Sequence, residues 1–258
     1  MLEVKDISVR YGSSYILNGL SFQVNAGDWM MLIGPNGAGK STSLGAIAQT
    51  IPCMGEILIE GIPARTLKPK ELARKVGFLS QQHYVGYSFR VEDVVRLGCY
   101  SRRRSFLKNS PDNTEKAVED ALALTGMEPL RNRSVLHLSG GELQRTFLAQ
   151  VLAQDPDILL LDEPANHLDL IYQQQVFSLI DAWRKCGSQN PDAPKRAVIS
   201  VVHDLSLARR YGTCAVLMDK GRAVASGKID EVMTPEHLNA VYGTDVKGWI
   251  RSLYEAWT

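Results

Sequence analysis

Gly34-Pro35-Asn36-Gly37-Ala38-Gly39-Lys40-Ser41-Thr42 is the stretch on which the reading of this chain turns. It fits the spacing G-x-x-x-x-G-K-[ST], with Gly34, Gly39, Lys40 and Ser41 at the fixed positions. The flanks suit the motif: Trp29–Ile33 is a short apolar run of buried-strand type, and Ser43–Gln49 reads as a helix. Glycines let the backbone fold round an anion, and a helix N-terminus turns unpaired N–H groups toward it. Lys40 adds a point charge for the outer phosphates, and the Ser41 hydroxyl suits a divalent cation such as Mg²⁺. The plain alternative is a glycine-rich turn before a helix. With glycine near 7% of residues, a chance match in a chain of this size is on the order of one in a hundred. A nucleotide-binding α/β core is therefore the expectation.

The 258 residues suffice for one large domain or a core with a subdomain. Hydrophobic content of 45% and charged content of 22% fit an ordinary globular protein. A net charge of +1 gives no electrostatic case for nucleic acid or for direct binding to an anionic membrane. Cys53, Cys99, Cys186 and Cys214 are far apart and read as reduced thiols of a cytosolic protein. The N-terminus does not read as a signal peptide, and no run approaches the ~18 apolar residues of a membrane span. Work at a membrane would need a partner to hold the chain there.

Working outward, Leu2–Val9 and the alternation Leu20, Phe22, Val24 predict strands, as does Gly55–Gly61. These suggest a small antiparallel layer beside the core. Lys70–Lys75 reads as a helix and Val76–Leu79 as a buried strand that releases Gln81 at its C-terminal edge, where ligands sit in open α/β sheets. From about 89 to 153 the periodicity is helical, with stripes through Val91–Leu97, Val118–Leu124 and Leu143–Leu152, so a helical subdomain is expected there. The α/β core is expected over about 1–88 and 154–245, with 246–258 a tail too short for a domain. Ile158–Leu161 and Ala197–Val202 read as buried strands. Leu170–Lys185 reads as a helix with Ile171, Val176, Leu179, Ile180 and Trp183 on an apolar side. Cys186–Arg196 reads as an exposed loop, Asp219-Lys220-Gly221 as a hairpin turn, and Ile229–Met233 and Pro235–Tyr242 as short helices.

Three further constellations carry chemistry. The strand Ile158–Leu161 ends in Asp162 and Glu163, the first suited to the Mg²⁺ shell and the second to a water at a γ-phosphate. His203 ends another buried strand at the same expected sheet edge, where an imidazole can hydrogen-bond a phosphate oxygen. Leu138-Ser139-Gly140-Gly141-Glu142-Leu143-Gln144-Arg145 reads as a helix N-terminus with Ser139 as its cap. That makes a second anion-binding end, placed in sequence far from the phosphate loop.

With that last stretch the chain resembles the ATP-binding subunits of ABC transporters, whose signature L-S-G-G-E-x-Q-R is supplied by Leu138–Arg145. The other stations are filled in order. Tyr11 matches the aromatic that stacks on adenine, and Gly34–Thr42 the Walker A loop. Gln81 matches the Q-loop glutamine, Ile158–Asp162 Walker B, and Glu163 the catalytic glutamate. Asn166-His167-Leu168-Asp169 is similar to the D-loop, and His203 matches the switch histidine. The likeness covers residues 2 to about 245. It implies a P-loop NTPase core of RecA-like type with an antiparallel β layer and an inserted helical subdomain. It also implies ATP and Mg²⁺ as cofactors, with Ser41, Gln81 and Asp162 around the metal, and a head-to-tail pair of identical subunits. Each ATP would lie between the phosphate loop of one copy and Ser139, Gly140, Gly141 and Glu142 of the other, with Asp169 near the boundary.

Single motifs of each kind mark a half-unit without a fused membrane domain. The wording Glu163–Leu170, Val202–Ala208 and Thr234–Gly243 is similar to importer ATPases for iron–siderophore, haem and cobalamin. Ala165 departs from the usual Thr or Ser, and Leu97–Ser101 lacks the common Gly-Arg-x-Pro wording. The resemblance implies transmembrane permease partners at the cytoplasmic face of the cell membrane, and indirectly an extracytoplasmic substrate-binding protein. Arg102-Arg103-Arg104 reads as a solvated face, or as a contact with that membrane partner or with anionic lipid near it. A soluble ATP-driven clamp, as in metal-cluster assembly, is the alternative.

Overall fold

A computed structural model describes residues 1–81, 86–101, 114–166, 168–186 and 196–256. The run Arg102–Arg104, and residues 187–195 of the expected loop, lie outside the described residues. In chain order the elements are β1 (Leu2–Tyr11), β2 (Ser14–Val24), β3 (Trp29–Ile33), α1 (Lys40–Ile47), β4 (Met54–Ile59), β5 (Ile62–Pro63), α2 (Pro69–Lys75) and β6 (Val76–Leu79). There follow α3 (Val91–Gly98), α4 (Thr114–Thr125), α5 (Gly140–Ala153), β7 (Ile158–Asp162) and α6 (Leu170–Cys186). The chain closes with β8 (Ala197–Val201), α7 (Leu205–Tyr211), β9 (Cys214–Asp219), β10 (Arg222–Lys228), α8 (Ile229–Val232), α9 (Pro235–Tyr242) and α10 (Val246–Glu255). The chain divides into two compact units, residues 1–65 with 199–258, and residues 66–198.

The first unit holds the antiparallel sheet β2-β1-β4-β5. One face alternates inward: Leu2, Val4, Ile7 and Val9 of β1 are buried with Leu17, Leu20, Phe22 and Val24 of β2. Burying such a residue is worth roughly 1.5–3 kcal/mol, which fixes the register against a one-residue slip. In the same unit β3 pairs parallel with β9, and β9 pairs antiparallel with β10. All of β3 is buried, as a strand covered on both faces must be. The Trp29 indole N–H is satisfied by Ser200 Oγ at 2.8 Å, which makes its burial tolerable. The β9–β10 turn puts Lys220 at φ 45° and Gly221 at φ 78°, the type I′ geometry of a tight hairpin.

The second unit pairs β6 and β7 in parallel, from Val76 opposite Ile158 to Leu79 opposite Leu161. Its helices α3, α4 and α5 pack through Val91, Val94, Val95, Val118, Ala121, Leu122, Leu148 and Val151. Gly98 lets α3 approach α5: a Cβ there would stand 1.9 Å from the Gln150 carbonyl oxygen.

The helix α7 and the helical tail α10 were not expected from periodicity. Each is short and begins on an Asp cap: Asp204 Oδ1 accepts from Ser206 and Leu207, and Asp245 Oδ1 from Gly248. The apolar side expected for α6 holds at Val176, Ile180 and Trp183, with Leu179 half-buried and Phe177 buried beside them, but Ile171 is 67% exposed beside Leu170 at 83%. Cys53, Cys99 and Cys214 are free thiols. Among the described residues no helix is long and apolar enough to cross a membrane.

Candidate nucleotide site

In the first unit β3 delivers the chain to Gly34, which takes φ 144°. A Cβ there would stand 2.1 Å from the carbonyl oxygen of Met218 on β9, so only glycine lets the loop leave the strand at this point. The loop is braced from below. Gly221 N–H donates to the Ala38 carbonyl at 3.1 Å, and Asn18 N–H donates to the Gly221 carbonyl at 2.9 Å. Gly39 caps α1 with φ 95° and no side chain closes that helix end. The first turn of a helix has N–H groups without intrahelical acceptors, so this end is built for an anion. Lys40 is only 5% exposed, and its ammonium donates to the carbonyls of Gly34 at 2.8 Å and Pro35 at 2.9 Å. Ser41 is exposed at the head of α1.

Tyr11, 57% exposed, ends β1 opposite Ser14. It lies two residues from buried Val9, on the face where Leu17 packs against Gly39. Tyr15 stands opposite Arg10, on the other face of the hairpin, with the guanidinium 5.6 Å from its ring centroid. Of the two tyrosines, Tyr11 is therefore the one on the phosphate-loop side. His203 is exposed after β8 and lines a cavity of about 640 Å³ with Tyr242, Trp249, Leu253 and Tyr254. Burial pushes the Tyr242 phenol up, and a backbone hydrogen bond from Gly34 acts the other way.

In the second unit the fully buried β7 carries Asp162, 5% exposed, to its end. Glu163 follows with φ 53°, a turn that ends the strand. Its Oε2 accepts from Gln81 Nε2 at 3.0 Å and from Asn166 Nδ2 at 2.6 Å. The parallel pairing of β6 with β7 explains the first contact, because both strands release their chains at the same end. Ser139 caps α5: its Oγ accepts from Glu142 N–H at 3.3 Å, and Glu142 Oε2 accepts from Ser139 N–H at 2.7 Å. The sequence pattern suggested Ser139 as the cap, and the structure closes it as a capping box with Glu142. The Ser139 backbone N–H, and next its hydroxyl, hold the Glu142 carboxyl below the usual carboxylate range. Asp169 Oδ1 accepts from Tyr172 N–H at 3.0 Å at the head of α6.

Gln81 and Glu163 thus meet, as do Ser139 and Glu142. Asn166 as a partner of Glu163 was not singled out, although the motif around it was. Gln144 stands within the signature, but its donation from Nε2 to the Pro164 carbonyl at 3.3 Å was not foreseen, and Tyr242 was missed. Tyr242 has no sequence signal, because it lies some two hundred residues from the loop it approaches.

The residues fit a nucleoside triphosphate with its cation. The phosphate loop offers glycines, an uncapped helix end and a buried ammonium. By donor chemistry alone, Ser41 in the first unit, and Gln81 and Asp162 in the second, each carry a hard oxygen of the kind Mg²⁺ takes.

The ABC transporter family profile matches residues 17–166. The chain is 36% identical to an uncharacterized ABC transporter ATP-binding protein, YvrA of Bacillus subtilis, over 95% of its own length and 54% of that protein's. It is 34% identical to the petrobactin import ATP-binding protein FpuD of Bacillus anthracis, covering 93% and 86%. It is 36% identical to the hemin import ATP-binding protein HmuV of Pseudomonas entomophila, covering 95% and 94%. Among solved structures, the dimeric ABC transporter cassette MJ0796 superposes with a TM-score of 0.76 at 26% identity, covering 89% of this chain and 99% of that one. A phosphate loop at the mouth of one buried strand and an acid at the end of another are the marks of a P-loop nucleoside triphosphatase. The chain belongs to the ABC transporter family, as one of its ATP-hydrolysing cassettes.

Proposed function

We propose that this chain powers a membrane importer for a metal chelate of the iron–siderophore, haem or cobalamin kind. The hemin and petrobactin import relatives, each matched over most of its length, support this cargo class. The chain works as a head-to-tail pair at the cytoplasmic face of the membrane, held there by transmembrane permease subunits. An extracytoplasmic binding protein delivers the cargo on the other side. The dimeric cassette MJ0796 supports the pairing, as do the exposed apolar Leu170 and Ile171 beside Asp169.

When bound, ATP with Mg²⁺ supplies a γ-phosphoryl group open to attack by water. Lys40 and the backbone N–H groups of residues 36–42 hold the phosphates, and Tyr11 stacks on the adenine. Ser41, Gln81 and Asp162 serve the cation. Glu163 accepts a hydrogen bond from the attacking water and draws its proton. His203 holds a phosphate oxygen in register. Ser139, Gly140, Gly141 and Glu142 at the head of α5 complete the nucleotide site of the second copy.

The observation that carries the hydrolytic role is the Glu163 carboxylate, held by two amide donors at the end of a buried strand. The two amide donors fix the direction of the carboxylate, which suits a general base. Glu163→Gln should keep ATP binding, lower turnover by about 10²–10⁴-fold and accumulate an ATP-bound dimer on size exclusion. Near-normal hydrolysis by the purified variant would reject the assignment. For the cargo, a deletion strain should lose growth on haem or a ferric siderophore as sole iron source, or lose cobalamin uptake. Unchanged use of all three rejects the cargo class.

A further inference from the structure

Within the second unit, three points along the first half of α5 touch the segment that follows Glu163. Gly141 lies against Leu168, whose Cδ2 is 3.0 Å from where a Cβ of residue 141 would stand. Gln144 Nε2 donates to the Pro164 carbonyl at 3.3 Å. The Arg145 guanidinium sits 4.7 Å from the ring centroid of Tyr172, whose N–H is held by Asp169. The middle contact reaches closest to the chemistry. Pro164 follows Glu163 directly, and its ring fixes its own φ, so anchoring the Pro164 carbonyl restrains the peptide that carries the acid. Glu163 itself sits at φ 53°, a conformation that persists only when its surroundings hold it.

We infer that Gln144 is a positioning residue for hydrolysis: through the Pro164 carbonyl it holds the Glu163 carboxylate in its working direction. The inference rests on the proposed function, in which the head of α5 serves the nucleotide of the second copy. On that footing the helix is a lever. Its N-terminal turn meets one nucleotide, and five residues on its side chain sets the acid that acts on the other. Closure at one site is then felt at the next through a single rigid element.

Gln144→Met keeps the length of the side chain and removes the N–H. The expected result is a kcat at least ~tenfold lower with the KM for ATP within about twofold, because the acid is misdirected while the phosphate loop is untouched. Gln144→Lys, which restores a donor, should recover most of the lost kcat. In the Glu163→Gln background, Gln144→Met should still allow the ATP-bound dimer to form. Wild-type kcat in Gln144→Met overturns the inference, as does loss of the ATP-bound dimer in the double variant, which would place Gln144 in binding or closure. If Gln144→Met does not yield folded protein, Gln144→Glu gives the same comparison, since a carboxylate cannot donate to the carbonyl. Again kcat must fall with KM kept, and wild-type kcat overturns the idea. A Glu163→Gln single variant that forms no ATP-bound dimer removes the parent reading, and this inference with it.

Discussion

A methyl group at position 34 would meet the Met218 carbonyl oxygen at 2.1 Å, and the backbone there has φ 144°. Gly34→Ala therefore has to move the strand end or the loop. We expect a stability loss of about 1–3 kcal/mol in urea unfolding, together with loss of ATP binding. An unchanged midpoint would show that the loop yields freely. This glycine, Lys40 and Ser41 were legible from spacing alone, because backbone conformation and anion chemistry restrict the residue types. Asn166 and Gln144 were not. Each acts through one amide reaching across a turn, and nothing in the local sequence distinguishes such an amide from a solvated one. Tyr11 came from the family likeness; that it lies on the face opposite Tyr15 needed the register of β1 on β2, where an irregularity falls between Val9 and Arg10.

At the scale of elements, α5 depends on its cap. Ser139→Ala should cost about 1 kcal/mol, read from chemical unfolding. The Glu142 half of the box has a pH signature. The Ser139 N–H stabilises the charged carboxylate, so the folded chain takes up this proton less readily than the unfolded one. Its contribution is therefore full at neutral pH. It fades as pH falls through the ordinary carboxylate range and vanishes below the depressed folded value. The stability gap between wild type and Glu142→Gln should be widest at neutral pH and shrink below roughly pH 4. A gap independent of pH would mean that the carboxylate is not charged in the cap. A tighter constraint lies between α3 and α5. Gly98→Ala presses a methyl group onto the Gln150 carbonyl and should lower the melting temperature by several degrees. The strands β3 and β7 were readable because fully buried strands are short, apolar and uninterrupted. The helix α7 was not, since seven residues give barely two turns of periodicity, and the start of α6 misled because its apolar residues face outward.

For the whole molecule, the exposed pair Leu170 and Ile171 is costly to leave in water. If a second copy covers it, Leu170→Asp should weaken the ATP-bound dimer of the Glu163→Gln variant in light scattering while leaving the monomer folded. Equal dimer yield would place the interface elsewhere. This is the scale at which a lone chain says least. Two anion-binding helix ends far apart in sequence, at Gly39 and Ser139, pose a question that the family likeness answers with a second copy. The physics of one chain gives only the two ends.

The Lys40 ammonium already spends itself on the carbonyls of Gly34 and Pro35. Ligand capture at this loop is thus an exchange and not a filling. An incoming anion must outbid two charge-assisted hydrogen bonds to a buried cation. A polyphosphate presents acceptors along its whole length, to the ammonium and to the helix end at once. A chain of phosphates meets the loop N–H groups and the ammonium together, which is what favours it here.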